Sequence, residues 1–326
     1  MNAITQLDVL DLEHTINHYE VGELVRYWPA ANGIENTNYF IRTLDQGRER
    51  EFVLTIVEQP SNAGGAYVPL LDLCESAGLP VAGILRNRNG EPMDRFDGKL
   101  ILLSRRLPGR HVYNPTTSQV ASLGRFIAHF HLATANWDHP VPEYPRNAAW
   151  LAHHAELIKG YLPYLSRVLL EDSVREVGSL LARGDVAGLP RGVIHGDLFR
   201  DNVLFNERGL TGVLDFHHAA RGTLIYDLAV AANDWCTDSS GLLNPDRTLE
   251  LLRAYHRIRP LAPAEVRMFA AFTLYGAVAF WLSRLSVAIR RDNAGNVRFN
   301  NPEEFERIVA RHHAHFFYLD ERLLTP

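Results

Sequence analysis

Cysteine is scarce in this chain: there are two in 326 residues, Cys74 and Cys236, and no CxxC pair. That argues against a cysteine zinc site or a disulfide framework and predicts two reduced, partly buried thiols. Basic charge is not in surplus either, with 33 Lys and Arg against 38 Asp and Glu and a net charge of -5. A nucleic-acid binder usually shows a basic excess or stripe, so no nucleic-acid partner is expected. A mildly acidic chain can still take a nucleotide, because a divalent cation brings its own positive charge. The N-terminus, MNAITQLDVLDLEH, carries acid early and lacks a basic-then-apolar leader. The most apolar stretch, Met268 to Leu282, is too short to span a bilayer and is closely followed by Arg284, so it reads as a buried core helix. These absences predict a cytoplasmic protein with no membrane partner.

Repeats and low-complexity linkers are also missing, and the chain divides instead by hydrophobic periodicity. Residues 6–18 read as a helix. Runs at 24–28, 39–44 and 51–57 are rich in β-branched and aromatic residues and read as strands. A helix at 66–77 ends at Gly78 with Pro80 beyond. Residues 84–86, the turn Asn87 to Gly90, and 99–104 read as further strands of one sheet. Leu107-Pro108-Gly109 breaks the pattern. Beyond it, runs at 116–134, 147–183, 224–235, 246–257, 263–288 and 302–318 have helical spacing, interrupted by a β island at 192–216. The expected fold class is α+β: a small antiparallel-sheet N-lobe over residues 1–104, a hinge near 104–109, and a larger, mostly helical C-lobe over 105–326. Nucleotide sites often lie between two such units.

The β island carries the chemistry. It reads G-V-I-H-G-D-L-F-R-D-N-V-L-F from Gly192 to Phe205, a polar loop held between two apolar strands, with the spacing H-x-D-x-x-x-x-N. A further strand, Gly212 to Leu214, ends in Asp215-Phe216. Phosphoryl transfer to an alcohol calls for this set. The acceptor hydroxyl needs a carboxylate to orient it and take its proton, which suits Asp197. Magnesium prefers oxygen ligands, which suits the Asn202 amide oxygen and the Asp215 carboxylate as metal ligands. The order matches the kinase signature H-R-D-x-x-x-x-N followed by D-F-G, with Gly196 in place of the Arg and His217 in place of the Gly. Asp215 lies thirteen positions after Asn202, room for a tight hairpin. His195 is expected to brace the loop rather than to react. Asp227, in Tyr226-Asp227-Leu228-Ala229, is expected to cap a helix, accept backbone N–H bonds and brace the loop.

These residues resemble the aminoglycoside and choline phosphotransferase-like kinases. Within that superfamily, G-I-E-N-T-N-Y-F (Gly33 to Phe40), F-V-L-T (Phe52 to Thr55), H-G-D-L-F-R-D-N-V-L-F, Y-D-L-A, N-D-W-C (Asn233 to Cys236) and F-W-L-S-R-L (Phe280 to Leu285) are similar to the homoserine kinase branch. The resemblance runs from about residue 20 to 310. It implies a two-lobed protein-kinase-like fold, with ATP and Mg2+ as cofactors. The implied reaction is transfer of the γ-phosphate to the side-chain hydroxyl of L-homoserine, a step of threonine biosynthesis. It also implies that Gly33, Glu35, Asn36, Thr37 and Asn38 form the loop over the ATP phosphates. There glycine allows close backbone approach and the polar residues offer donors. Most kinases hold the phosphates with a lysine on the third strand. Here Thr55 occupies that position, as in the homoserine kinase branch. The chain's two lysines, Lys99 in an expected turn and Lys159 in the helical lobe, do not replace it.

The sequence departs from that branch at His217-His218-Ala219-Ala220, at Arg200 and at Ala279, all on the acceptor side. Choline, ethanolamine and amino sugars therefore stay open as acceptors. A non-catalytic nucleotide-binding module stays open through Thr55. Protein-kinase activity is disfavoured by the short stretch from Asp215 to Tyr226. For the small-molecule acceptor, Arg284 could meet a carboxylate or form an internal ion pair. Asp234 could attract an amino group, and Trp235 lies beside it. His129 and His131, at i and i+2, cannot share a helix face. His312, His313 and His315 read as a solvated helix face rather than a metal site. A monomer or homodimer is expected.

Overall fold

A computed structural model describes residues 5–30, 36–58, 67–292, 301–315, 319 and 322. The chain forms two compact units. One holds the residues up to Gly109 together with Thr211–His217; the other holds Arg110–Leu210 and the chain from His218 onward.

The first unit begins with α1 (Val9–Ile16), started by a capping box in which Asp8 and Asp11 satisfy each other's backbone N–H. Strands β1 (Glu23–Pro29), β2 (Thr37–Asp45) and β3 (Arg48–Val57) follow. Gln46 and Gly47 join β2 to β3 with both φ angles positive, the geometry a two-residue hairpin requires. After α2 (Val68–Ser76) come β4 (Asp94–Phe96) and β5 (Lys99–Arg105), joined by Asp97 and Gly98, again both at positive φ. The sheet is wholly antiparallel, in the order β1-β2-β3-β5-β4. The strand expected at 84–86 is reduced to one bridge, Ile84 to Ser104, and the edge position is taken by β4 instead. Period-two alternation buries Tyr39, Ile41, Phe52, Leu54, Ile56, Ile101 and Leu103 in a core that includes Leu12 and Ile16 of α1. Asn38 and Thr55, partners in register, belong to the opposite face.

The second unit is mainly helical: α3 (Thr117–Ala133), α4 (Ala148–Ile158), α5 (Tyr164–Leu181) and the short α6 (Gly184–Ala187). The single helical run expected over 147–183 is broken. Pro163 lacks an amide donor and pushes Leu162 into extended backbone, so α4 ends in one 3-10 turn and α5 starts afresh. Next come β6 (Arg191–Ile194), β7 (Val203–Asn206), β8 (Gly209–Val213) and β9 (Ala220–Thr223). β6 and β9 pair antiparallel. From Thr211 the chain runs within the first unit, where Val213 bridges Val81 and donates its N–H to Pro80 O.

The helices α7 (Ile225–Ala231), α8 (Pro245–His256), α9 (Pro263–Asp292) and α10 (Pro302–Ala314) complete the second unit. Gly124 lets α3 approach α8 closely: a Cβ there would lie 2.4 Å from Leu251 O. The expectation that the apolar run is too short for a bilayer is corrected by α9, whose 27 residues Pro263–Ile289 are long and apolar enough to cross one. In the fold α9 is a core helix packed on α4, α5, α7 and α10. A small antiparallel-sheet unit followed by a larger helical one is the fold class read from the sequence.

Candidate active site

The polar loop after β6 is built on buried supports. Ile194 and His195 have no exposed surface. Gly196 turns the chain at φ +75, and the Tyr144 ring lies so close that a Cβ would meet it at 3.1 Å. A side chain there would press on that ring and strain the left-handed backbone, which accounts for the glycine in this motif. Asp197 follows. Its backbone N–H donates to His195 Nδ1 at 3.3 Å, so the histidine ring is packed under the loop.

Asp227 fastens the loop from below. This fully buried carboxylate accepts the N–H of His195 on Oδ2 and that of Gly196 on Oδ1, each at 2.8 Å. It does not cap its own helix: it is the third residue of α7, and the N–H groups it takes belong to the loop. His131 Nε2–H donates to Oδ2 at 3.1 Å. The tautomer follows from the chain of donors behind it. Arg259 Nη1 donates to the Tyr255 hydroxyl at 3.0 Å, and that hydroxyl lies 2.8 Å from His131 Nδ1, so its proton goes to Nδ1 and the ring proton sits on Nε2. His129, two residues away, is exposed on the other side of α3.

The Asn202 amide is tied to the same loop. Its Nδ2 donates to the Asp197 carbonyl at 2.8 Å and to Asp197 Oδ2 at 2.9 Å. Two oxygen partners identify that atom as the NH2 group. Its Oδ1 accepts nothing from the described residues and remains open to a cation. A π-helical turn at Ala232–Cys236, where regular helix was expected, widens the end of α7. It carries Trp235 under the loop, where Nε1–H donates to Leu198 O at 3.0 Å. Trp235 has no exposed surface, so the acceptor contact expected of it is corrected to a supporting role. Asp234 accepts from the Arg200 backbone N–H at 2.7 Å and from Arg200 Nε and Nη2, both at 3.0 Å. Arg200 also approaches Glu304, which binds Arg284 Nη1 at 2.6 Å. Asp234, Arg200, Glu304 and Arg284 thus form one ion network. The charges of Asp234 and Arg284, both considered for the acceptor, already have partners in the protein.

In the first unit, Asp215 follows β8 at φ +71, left-handed backbone that a non-glycine residue rarely adopts. His217 Nδ1 contacts its carboxylate. Burial, aided by the Asp215 charge, pushes the Tyr67 phenol up to about 12. Gly33 and Glu35 lie outside the described residues. Asn36 Oδ1 accepts the Glu58 N–H at 3.4 Å, and Thr55 Oγ1 donates to Asn38 Oδ1 at 2.7 Å.

Thr37 is on the other face of the sheet and donates to Glu58. Lys99 is the first residue of β5 rather than a turn residue. Its Nζ donates to Glu58 Oε2 at 2.5 Å and to Thr5 Oγ1 at 2.6 Å. This cluster pins the N-terminal segment on the face away from Thr55, so Lys99 does not stand in for the third-strand lysine. Sequence reasoning missed the Glu58–Lys99 pair because its partners are far apart in the chain. It missed His131 as a brace because only the His-x-His pattern was visible.

Of the C-terminal histidines, His313 and His315 are exposed as expected, while His312 is partly buried. His312 donates Nε2–H to Ala270 O at 2.7 Å, and His313 Nε2 meets Ser173 Oγ at 2.8 Å, so both face neighbouring helices. Among the described residues, no three His, Cys, Asp or Glu side chains gather as a metal site. A magnesium ion held by two protein oxygens and completed by phosphates and water does not need such a group.

Comparison with known proteins shows the family. A profile described as the phosphotransferase enzyme family matches residues 27–261. A homoserine kinase of Pseudomonas aeruginosa (strain LESB58) is 37% identical over 314 residues, covering 95% of this chain and 96% of that protein. A homoserine kinase of Cupriavidus necator is 34% identical over 318 residues, 95% of this chain and 96% of that one. Among solved structures, an amicoumacin kinase in complex with AMP-PNP and Ca2+ superposes with a TM-score of 0.72. The alignment has 15% identity and covers 98% of each chain.

Proposed function

Since this chain belongs to the phosphotransferase enzyme family, we infer that it is an ATP-dependent kinase that phosphorylates the side-chain hydroxyl of L-homoserine to give O-phospho-L-homoserine. One observation carries the mechanism: the Asn202 amide N–H2 fixes Asp197, and Asn202 Oδ1 is left as an oxygen donor. Asp197 is assigned as the base. As the acceptor oxygen forms its bond to the γ-phosphorus, the hydroxyl proton passes to the Asp197 carboxylate, and ADP departs with the electrons of the broken bond. Asn202 and Asp215 are assigned to magnesium, which when bound neutralises phosphate charge. His195 and Asp227 hold the loop so that Asp197 keeps one orientation. Gly33, Glu35, Asn36, Thr37, Asn38 and Thr55 are assigned to the nucleotide. For Asn38 and Thr55 the support is their mutual hydrogen bond on the face away from the core.

The homoserine assignment is supported by relatives of that name that align along nearly the whole chain. It brings with it a cytoplasmic location and a place in threonine biosynthesis. The enzyme would act as a monomer or homodimer without nucleic acid or membrane. The test is an acceptor panel of homoserine, choline, ethanolamine, an amino sugar and short hydroxy-amino acids with ATP and magnesium. Phosphorylation of homoserine is expected. An amino sugar or choline phosphorylated in its place would overturn the assignment.

A further inference from the structure

Arg146 lies in the segment between α3 and α4, in none of the motifs that revealed the kinase. Its guanidinium carbon sits 4.3 Å from the centre of the Phe280 ring, and Nη2 reaches Ser283 Oγ at 3.4 Å. Its own carbonyl is fixed by the Tyr275 hydroxyl at 2.7 Å. Around it, the Tyr144 and Tyr226 hydroxyls are joined at 2.7 Å, and the Tyr226 ring packs on those of Tyr144 and Tyr275 at 4.7 and 4.8 Å. Among the described residues no carboxylate lies within ion-pairing distance of Arg146. That sets it apart from Arg200, Arg259 and Arg284, each paired with an acid at 3.0 Å or less.

A cation half-buried among aromatic rings with no carboxylate directly paired to it is only partly compensated. Burial works to lower the Arg146 pKa, but its interactions with Tyr144, Tyr226 and Asp197 outweigh that, so the pKa lies above the ordinary value. Its position is also specific. Tyr144, two residues earlier, is the ring against Gly196, next to the base Asp197. An incoming hydroxyl at Asp197 therefore brings the rest of its molecule to the neighbourhood of Arg146. In homoserine three carbons separate the hydroxyl from a carboxylate. The planar guanidinium is matched to such a group.

We propose that Arg146 binds the acceptor's carboxylate and so selects a hydroxy-amino acid over an amino alcohol. This rests on the reading of the acceptor as homoserine. It replaces Arg284, whose charge Glu304 already meets, in the role of carboxylate receptor.

Steady-state kinetics with homoserine, homoserine amide and 3-aminopropan-1-ol, on the unaltered enzyme and on Arg146→Met and Arg146→Lys, test it. In the unaltered enzyme, KM should rise about 10- to 100-fold from homoserine to the amide and to the amino alcohol, the range for losing a hydrogen-bonded charge. Arg146→Met should raise KM for homoserine by a similar factor and leave KM for 3-aminopropan-1-ol and for ATP unchanged. Arg146→Lys should recover part of the loss. Equal falls in kcat for homoserine and the amino alcohol, with KM unmoved, would mean that Arg146 acts through Asp197, and would overturn the proposal while homoserine stands as acceptor. Should the variants fail to fold, the unaltered enzyme still decides, because equal KM for homoserine and its amide refutes a carboxylate receptor. No phosphohomoserine from the unaltered enzyme would sink the acceptor assignment and this proposal together.

Discussion

Replacing Asp227 tests whether the catalytic loop is held as described. Its carboxylate takes two backbone N–H groups, from His195 and Gly196, and the ring N–H of His131, and it has no exposed surface. Asp227→Ala leaves those three donors buried and unmatched. Each unmatched donor costs about 1–3 kcal/mol, so the loss should be about 3–5 kcal/mol once water enters the vacated space. That is a large part of a typical stability of about 5–15 kcal/mol. Asp227→Asn keeps one acceptor oxygen but turns an NH2 group toward a donor, so it should cost less, about 1–3 kcal/mol. Urea unfolding gives both values. The functional consequence is separate: the two N–H bonds hold the chain just before the Gly196 turn at φ +75, and losing them frees Asp197. Turnover of Asp227→Asn, which stays folded, should fall with every acceptor while KM for ATP holds. An unfolding midpoint and turnover unchanged in Asp227→Ala would refute the bracing argument.

Other outcomes follow from the same structure. Asp197→Asn should lower kcat about 100- to 10,000-fold, the span for losing a general base, with an unchanged melting temperature. Gly124→Ala would place a methyl 2.4 Å from Leu251 O between α3 and α8, and should cost about 1–3 kcal/mol in denaturant unfolding. Burial works to raise the Glu58 pKa, but hydrogen bonds from Lys99, Thr37 and Thr5 and the Lys99 charge outweigh it, so the folded value lies below the ordinary one. The stabilisation is therefore present above the unfolded Glu pKa and is lost as pH falls through the folded value. A pH series of unfolding midpoints should show that loss, and it should shrink in Glu58→Gln. Burial pushes the Cys74 and Cys236 thiols up to about 12, so neither should react with a thiol reagent at pH 8 until the protein unfolds, when both should.

What the sequence disclosed was mostly local. Alternation at Thr37–Asp45 and Arg48–Val57 follows from one buried face, and the sign of each strand is written in its own residues. The motif from His195 to Asn202 is equally compact in sequence. Pro163 could have divided the long helical run, since its effect on Leu162 is local too. The π-helical turn at Ala232–Cys236 could not be read this way. It depends on Asn233 reaching Thr273 O and Trp235 reaching Leu198 O, contacts between distant segments. Spacing alone left Arg284 and Asp234 as candidates for the acceptor. Only the fold shows that Glu304 and Arg200 already meet their charges, and that Arg146, in a segment without periodicity, has no such partner among the described residues. Two histidines of α10 are met in the same way by distant segments, His312 by the Ala270 carbonyl of α9 and His313 by the Ser173 hydroxyl of α5.

One measurement decides whether homoserine is the acceptor and Asp197 the base: the phosphorus NMR spectrum of the products made from L-homoserine and magnesium ATP by the purified enzyme, recorded beside the same reaction with Asp197→Asn. A phosphomonoester of homoserine, formed with ADP in equal amount and missing from the variant, is the predicted result. Homoserine returned unchanged while another alcohol is phosphorylated would contradict the acceptor, and the same product made at the same rate by the variant would contradict the role of Asp197.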